Sequence, residues 1–196
     1  MSDRLLERWI QAVVETPGLT AIRAVEEARR RLLEDSLRGA AVVGEFVGPI
    51  VDVGSGGGVP GIPLAVALPE REVTLLEATR KKVEFLERWA QELPNARVVW
   101  GRAEEQETDR FGVAVAKALA PPAVAMEWCL PLVAPGGAAI LWVGSSIDPE
   151  TLGLGARALG AVPPEDRNGL LVFRKVEPTP AGFPRRVGIA RKRPLA

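Results

Sequence analysis

The sequence predicts an α/β protein: a mostly parallel, twisted sheet with helices on both faces, preceded by a helical extension. Three observations carry this. From residue 50 onward short apolar runs alternate with helical stretches, the rhythm of a parallel sheet. Ile50-Val51-Asp52-Val53 runs into a glycine-dense turn, Gly54-Ser55-Gly56-Gly57-Gly58, and then into the Val59-Pro60-Gly61-Ile62-Pro63 helix start. Upstream of that point, apolar residues recur only at helical spacing.

Taken in order, Leu5, Leu6, Trp9 and Val13 predict a helix over 3–15, and Leu32, Leu33, Leu37 and Ala40 a second over 22–46. Pro17-Gly18 separates them. Arg29-Arg30-Arg31 lies on the second helix, either as a solvated face or as an added phosphate contact. Strands are expected at 50–53, 73–77, 97–100, 112–116, 138–143 and 170–175, with helices at 61–68, 80–92, 122–132 and 149–159 between them. Pro69 closes the first of these helices, and Gly136-Gly137 marks a turn before the fifth strand. Residues 177–196, rich in Pro and Arg, are expected to run as an extended arm.

Composition narrows the chemistry. With 196 residues, 47% apolar and 26% charged, the chain fits one ordinary globular domain. No apolar run approaches the roughly 18 residues of a membrane-spanning helix, and Met1-Ser2-Asp3-Arg4 has no signal pattern, so a cytoplasmic location is expected. Cys129 is the only cysteine and histidine is absent. An internal disulfide, a Cys/His zinc site and a Ser-His-Asp or Cys-His mechanism are therefore excluded. No metal is expected. The 25 basic and 25 acidic residues balance, but from residue 174 onward seven basic residues face one acid, Glu177. A basic terminus on a neutral chain suits either a polyanionic partner or simple solvation.

In an open parallel sheet, ligands sit beyond the carboxyl ends of the strands, at the point where strand order reverses. The glycine turn, Glu77, Gly101 to Glu104 and Lys117 all occupy such ends. A turn without Cβ atoms lets main chain approach a ligand, and the helix start beyond it adds unpaired N–H groups. Gly54-x-Gly56-x-Gly58 has the spacing common in methyltransferases that use S-adenosylmethionine. The dinucleotide pattern G-x-G-x-x-G fails from Gly54, because position 59 is Val, but matches from Gly56 through Gly58 and Gly61. That register starts farther from the strand and holds Pro60 inside the turn. Glu77, at the end of the second strand, can accept both ribose hydroxyls of an adenosine cofactor of either kind. Glu104 can take a hydrogen bond from the adenine amino group.

Asp52-Val-Gly-Ser-Gly-Gly-Gly-Val-Pro-Gly-Ile-Pro-Leu64 resembles the cofactor loop of the ribosomal RNA small subunit methyltransferase G family. The similarity runs on through Leu75-Leu76-Glu77, Lys81-Lys82-Val83-x-Phe85-Leu86, Gly101-Arg-Ala-Glu104 and Ala116-Lys-Ala-Leu-Ala-Pro121. It reaches Phe183-Pro-Arg-Arg-x-Gly-Ile189 and Lys192-Arg-Pro-Leu195, and upstream Leu19-Thr-Ala-Ile22 and Asp35-Ser-Leu37. The resemblance implies a Rossmann-like class I methyltransferase that moves a methyl group from S-adenosylmethionine to N7 of a guanine in 16S rRNA of the small ribosomal subunit. It implies a helical extension at 1–48, a cofactor-binding methyltransferase domain at 49–176 and a basic arm at 177–196, one structural unit overall, acting as a monomer. Carried over by position, cofactor contacts are Gly54, Gly56, Gly58, Val59, Glu77, Ala103, Glu104 and Lys117. RNA contacts are expected from Arg185, Arg186, Arg191, Lys192 and Arg193.

The chain departs from the family pattern at three places: Glu34 stands for His, Lys117 for Arg, and Val143-Gly144 for Lys-Gly. Lys117 keeps the charge but not the planar two-pronged donor.

Guanine N7 carries a free lone pair and no proton, so its methylation needs an in-line approach more than a general base. No catalytic residue is therefore assigned. Cytosine C5 chemistry needs a Cys nucleophile, whereas Cys129 sits in an apolar helix. Ala120-Pro121-Pro122-Ala123 lacks the acceptor and the ring that amino-group methylation of bases uses. Met126 and Trp128 are expected to pack in the core, as are Trp100 and Trp142, although the last two stand near strand ends where a base could stack. Two other functions fit the same cofactor residues: methyl transfer to a small molecule or another RNA site, and a non-catalytic module holding S-adenosylmethionine or a nicotinamide nucleotide.

Overall fold

The computed structural model describes residues 2–143 and 149–196. Gly144 of the Val143-Gly144 pair lies outside the described residues, as does Met1.

A seven-stranded sheet runs in the order β3-β2-β1-β4-β5-β7-β6. Its strands are β1 (Ile50–Val53), β2 (Val73–Glu77), β3 (Ala96–Trp100), β4 (Phe111–Lys117), β5 (Val133–Trp142), β6 (Glu165–Asp166) and β7 (Leu170–Arg174). β1 to β5 pair in parallel, while β7 is antiparallel to β5 and β6 to β7. The mostly parallel sheet expected from the alternation of strands and helices is the one found.

Alternation along each strand feeds two apolar layers. Ile50, Val73, Leu75, Val113, Val115 and Ile140 face one core, with Trp9, Ile10 and Val13 of α1 (Ser2–Glu15) and Leu64 of α5 (Gly61–Ala67). Phe85 and Leu86 of α6 (Arg80–Ala90) join that layer. Val51, Val53, Ala114, Ala139 and Leu171 face the other, with Met126 and Cys129 of α7 (Pro122–Cys129) and Ala156 of α8 (Gly153–Ala158). Helices thus cover both faces.

Four elements differ from expectation. The helix expected over 22–46 is divided into α2 (Val25–Ala28), a π-helical stretch Arg29–Glu34, α3 (Asp35–Leu37) and α4 (Ala40–Gly44). The break at Gly39 has a packing cause: a Cβ there would lie 2.1 Å from Cζ2 of Trp142. β5 starts at Val133, through the glycines expected to form a turn. Gly137 instead permits close contact between strands, since its Cβ would sit 2.1 Å from the Gly112 carbonyl oxygen. β6 is two polar residues long and has no apolar pattern to reveal it. The C-terminal segment is not an extended arm: it folds back, and α9 (Ile189–Lys192) buries Ala190 against the second core.

Candidate active site

The sheet order reverses between β1 and β4, and a cavity of about 450 Å³ opens there, at the carboxyl ends of the strands. Its floor begins at Gly54, the first residue of the glycine turn, and runs to Glu77. Gly54 and Gly56 take φ values of +68° and +60°, a region closed to most side chains. A Cβ on Gly54 would also lie 2.2 Å from Cδ1 of Leu119, whereas one on Gly56 would be in ordinary contact with the Gly54 carbonyl oxygen at 3.8 Å.

Asp52 holds this turn from below. It is fully buried, and its Oδ2 accepts from the Ser55 hydroxyl at 2.5 Å and the Gly61 N–H at 2.9 Å. Its Oδ1 has no partner among the described residues. Burial pushes the carboxyl up to about 7, against the two donors, and the nearby Glu77 charge adds to the rise. Trp9 of α1 reaches over to donate its indole N–H to the Gly57 carbonyl at 2.8 Å, so the N-terminal extension fixes the turn from a third side.

Glu77 faces the same turn. Its Oε2 accepts from the Gly56 N–H at 3.0 Å and its Oε1 from the Thr79 N–H at 2.7 Å. A carboxylate has about four acceptor positions, so two remain for a ligand. Ala103 and Glu104 also line the cavity, and Glu104 Oε1 accepts from the Gly188 N–H at 3.2 Å.

The structure therefore gathers Gly54, Glu77, Ala103 and Glu104 on one wall and ties Gly56 to Glu77. Gly58 and Val59 stand behind it, both donating N–H groups to the Ser55 carbonyl at 2.7 and 3.1 Å. Lys117 is turned away: its ammonium pairs with Asp35 on α3, and Ala118 and Leu119 line the cavity in its place. Burial lowers the Lys117 ammonium to about 8, and Arg31 pushes the same way. Trp142 donates to the Asp35 carbonyl at 2.8 Å and is nearly buried, as expected of a packing residue. Cys129 is buried, and burial pushes its thiol up, which suits core packing. Among the described residues no group of three or more His, Cys, Asp or Glu side chains could hold a metal, and no helix is long and apolar enough to cross a membrane.

The far wall comes from the C-terminal segment. Arg185 pairs with buried Glu127 of α7 and donates to the Arg193 carbonyl at 2.7 Å, so this guanidinium is committed inside the protein. Arg191 lays its guanidinium over the Trp128 ring, 5.1 Å from the centroid, and both line the cavity with Gly188. Arg186, Lys192 and Arg193 are exposed. Sequence reasoning missed Thr79, Lys82, Leu119, Trp128 and Gly188 as wall residues. Thr79 was within reach, because it precedes the helix that follows Glu77. So were Lys82, on that helix, and Leu119, just past β4, whereas Trp128 and Gly188 reach the cavity through later parts of the chain.

A family model described as rRNA small subunit methyltransferase G matches residues 4–157. The chain belongs to this family. A relative of that name from Synechococcus elongatus is 37% identical over 199 residues, covering 91% of this chain and 82% of its own. Another from Roseiflexus castenholzii is 38% identical over 196 residues, covering 91% and 84%. Among solved structures, the fold is similar to a 1,6-didemethyltoxoflavin-N1-methyltransferase from Burkholderia thailandensis that holds S-adenosylhomocysteine. The TM-score is 0.58 at 15% identity, covering 89% of each chain, a likeness of fold. In this member of the rRNA small subunit methyltransferase G family, Gly54 of the glycine turn, Glu77, and Gly188 and Arg191 of the C-terminal segment line one cavity.

Proposed function

We propose that this chain is an S-adenosylmethionine-dependent methyltransferase that places a methyl group on N7 of a guanine in 16S rRNA of the small ribosomal subunit. The observation that carries this is the Glu77 carboxylate, which lines the cavity with Gly54 and accepts from the Gly56 N–H of the glycine turn. The residues fit the cofactor. Positive φ and the absence of Cβ atoms at Gly54 and Gly56 leave main chain beside Glu77, and two free acceptor positions on Glu77 suit a ribose diol.

When bound, the cofactor supplies an electrophilic methyl group on a sulfonium. The chain's own residues do the rest. Gly54, Gly56 and Glu77 bind the nucleoside, and Ala103 and Glu104 close the adenine side. Gly58 and Val59 act from behind, by holding the Ser55 carbonyl and so the shape of the turn. Lys117 positions α3 through Asp35, placing the extension beside the end of β4. No proton has to leave guanine N7, so orientation and exclusion of water suffice. Charge on the RNA falls to Arg186, Lys192 and Arg193, while Arg185 and Arg191 hold the segment that presents them. The enzyme works in the cytoplasm as a monomer.

The test is labelled methyl transfer to small ribosomal subunits that lack the modification, followed by nucleoside mass spectrometry. Label in 7-methylguanosine is expected. Cofactor binding without transfer to subunits would overturn the substrate.

A further inference from the structure

Among the described residues, Trp100 is the one large aromatic side chain that the fold leaves in the open, 60% exposed at the end of β3, where core packing is expected from sequence. It is held in place rather than loose. Its indole N–H donates to the Ala78 carbonyl at 3.1 Å, and the Arg80 guanidinium lies 4.9 Å from its ring centroid. One face is thus covered by a cation, itself paired with Glu84 at 3.3 Å, and the exposed area belongs to the rest of the ring. The neighbours place it: Ala78, Thr79, Lys82, Gly101 and Arg102 all line the cavity, so Trp100 stands at its mouth. Among the described residues no carboxylate forms an ion pair with Lys81, Lys82 or Arg102. A pinned indole beside unpaired cations matches what single-stranded nucleic acid needs: a π-face for a base and positive charge for its phosphates.

We propose that Trp100, with Lys81, Lys82 and Arg102, forms a second RNA-binding surface beside the cavity at the end of β3, where an unpaired base of the substrate RNA stacks on the indole. This rests on the rRNA reading above and names a surface for it. This surface and the C-terminal segment then both contact the RNA. The Arg80 cation polarises the stack from behind.

The experiment compares wild type, Trp100→Phe and Trp100→Ala, with Lys81→Glu as a variant that leaves the ring intact. Binding of a fluorescein-labelled single-stranded RNA is read by anisotropy across a salt series. S-adenosylmethionine affinity is read by calorimetry on the same samples. Trp100→Ala is expected to weaken RNA binding about tenfold, in line with the loss of one base–aromatic stack, and Trp100→Phe to restore most of it. Lys81→Glu is expected to weaken binding and to flatten its salt dependence. Cofactor affinity should stay at the wild-type value in all three. Unchanged RNA binding in Trp100→Ala and Lys81→Glu overturns the proposal, as does a parallel fall in cofactor affinity, which would make the ring part of the cofactor wall. RNA binding is read without methyl transfer, so failure of labelled transfer to subunits is a separate result and counts against the substrate alone.

Discussion

The two walls of the cavity are built by different physics. The floor, from Asp52 to Glu77, is made of backbone shape and short-range hydrogen bonds: Ser55 and Gly61 to Asp52, and Gly56 and Thr79 to Glu77. The wall from the C-terminal segment is held by contacts that reach across the sequence: Arg185 to Glu127, the Gly188 N–H to Glu104, and Arg191 over Trp128. The floor is set by what its residues can and cannot do locally. The wall exists only once the chain has returned. The floor should therefore hold the cofactor, and the wall should be the part that RNA disturbs.

The largest expected effect separates the two directly. Replacing Glu77 by Ala removes a charged acceptor pair and should weaken S-adenosylmethionine about 100-fold, roughly 3 kcal/mol, by calorimetry. Glu127→Ala should cost less cofactor affinity but more stability. It leaves a partly buried Arg185 guanidinium without its partner, at about 2 kcal/mol, read as a lower melting temperature and faster proteolysis after Pro180. A loss of cofactor affinity equal to that of Glu77→Ala would erase the distinction between floor and wall.

A third effect belongs to the floor alone. The folded Asp52 carboxyl is raised from 3.8 to about 7 by burial, so the folded chain binds more protons than the unfolded chain between those values. Its contribution is full below the lower value and is lost as pH rises through about 7. Melting temperature should therefore decline from pH 5 to 7, and Asp52→Asn should flatten that slope. With no histidine in the chain, few other groups titrate in this window. Smallest of all, Arg191→Ala removes one cation–π contact at the wall and should cost about 0.5–1 kcal/mol, seen as a slight drop in melting temperature.

The same contrast explains what could be read from the sequence. β1 and β2 were legible to the residue, because their apolar runs end at a glycine turn and at Glu77. Gly54, Glu77, Ala103 and Glu104 were legible because strand ends place them. Lys117 was expected at the cofactor, but Asp35 takes its charge, a pairing 82 residues apart that no local pattern signals. Trp100 was expected in the core, yet β3 is the outer strand of its edge and leaves the ring uncovered. The break at Gly39 is decided by Trp142, more than one hundred positions later, and the folded C-terminal segment by Glu127. Apart from Trp100, which edge position exposes, each of these misses is a long-range side-chain contact that overrode a local tendency.

The central claim is that the Gly54–Gly58 bend and Glu77 together hold the cofactor. A crystal structure with S-adenosylhomocysteine tests it most directly. The account predicts the nucleoside against the bend, both ribose hydroxyls within hydrogen-bond distance of the Glu77 carboxylate, and Asp52 still bound to Ser55 and Gly61. Ligand seated elsewhere, or Glu77 still facing only the Gly56 and Thr79 N–H groups with the ligand present, would contradict it.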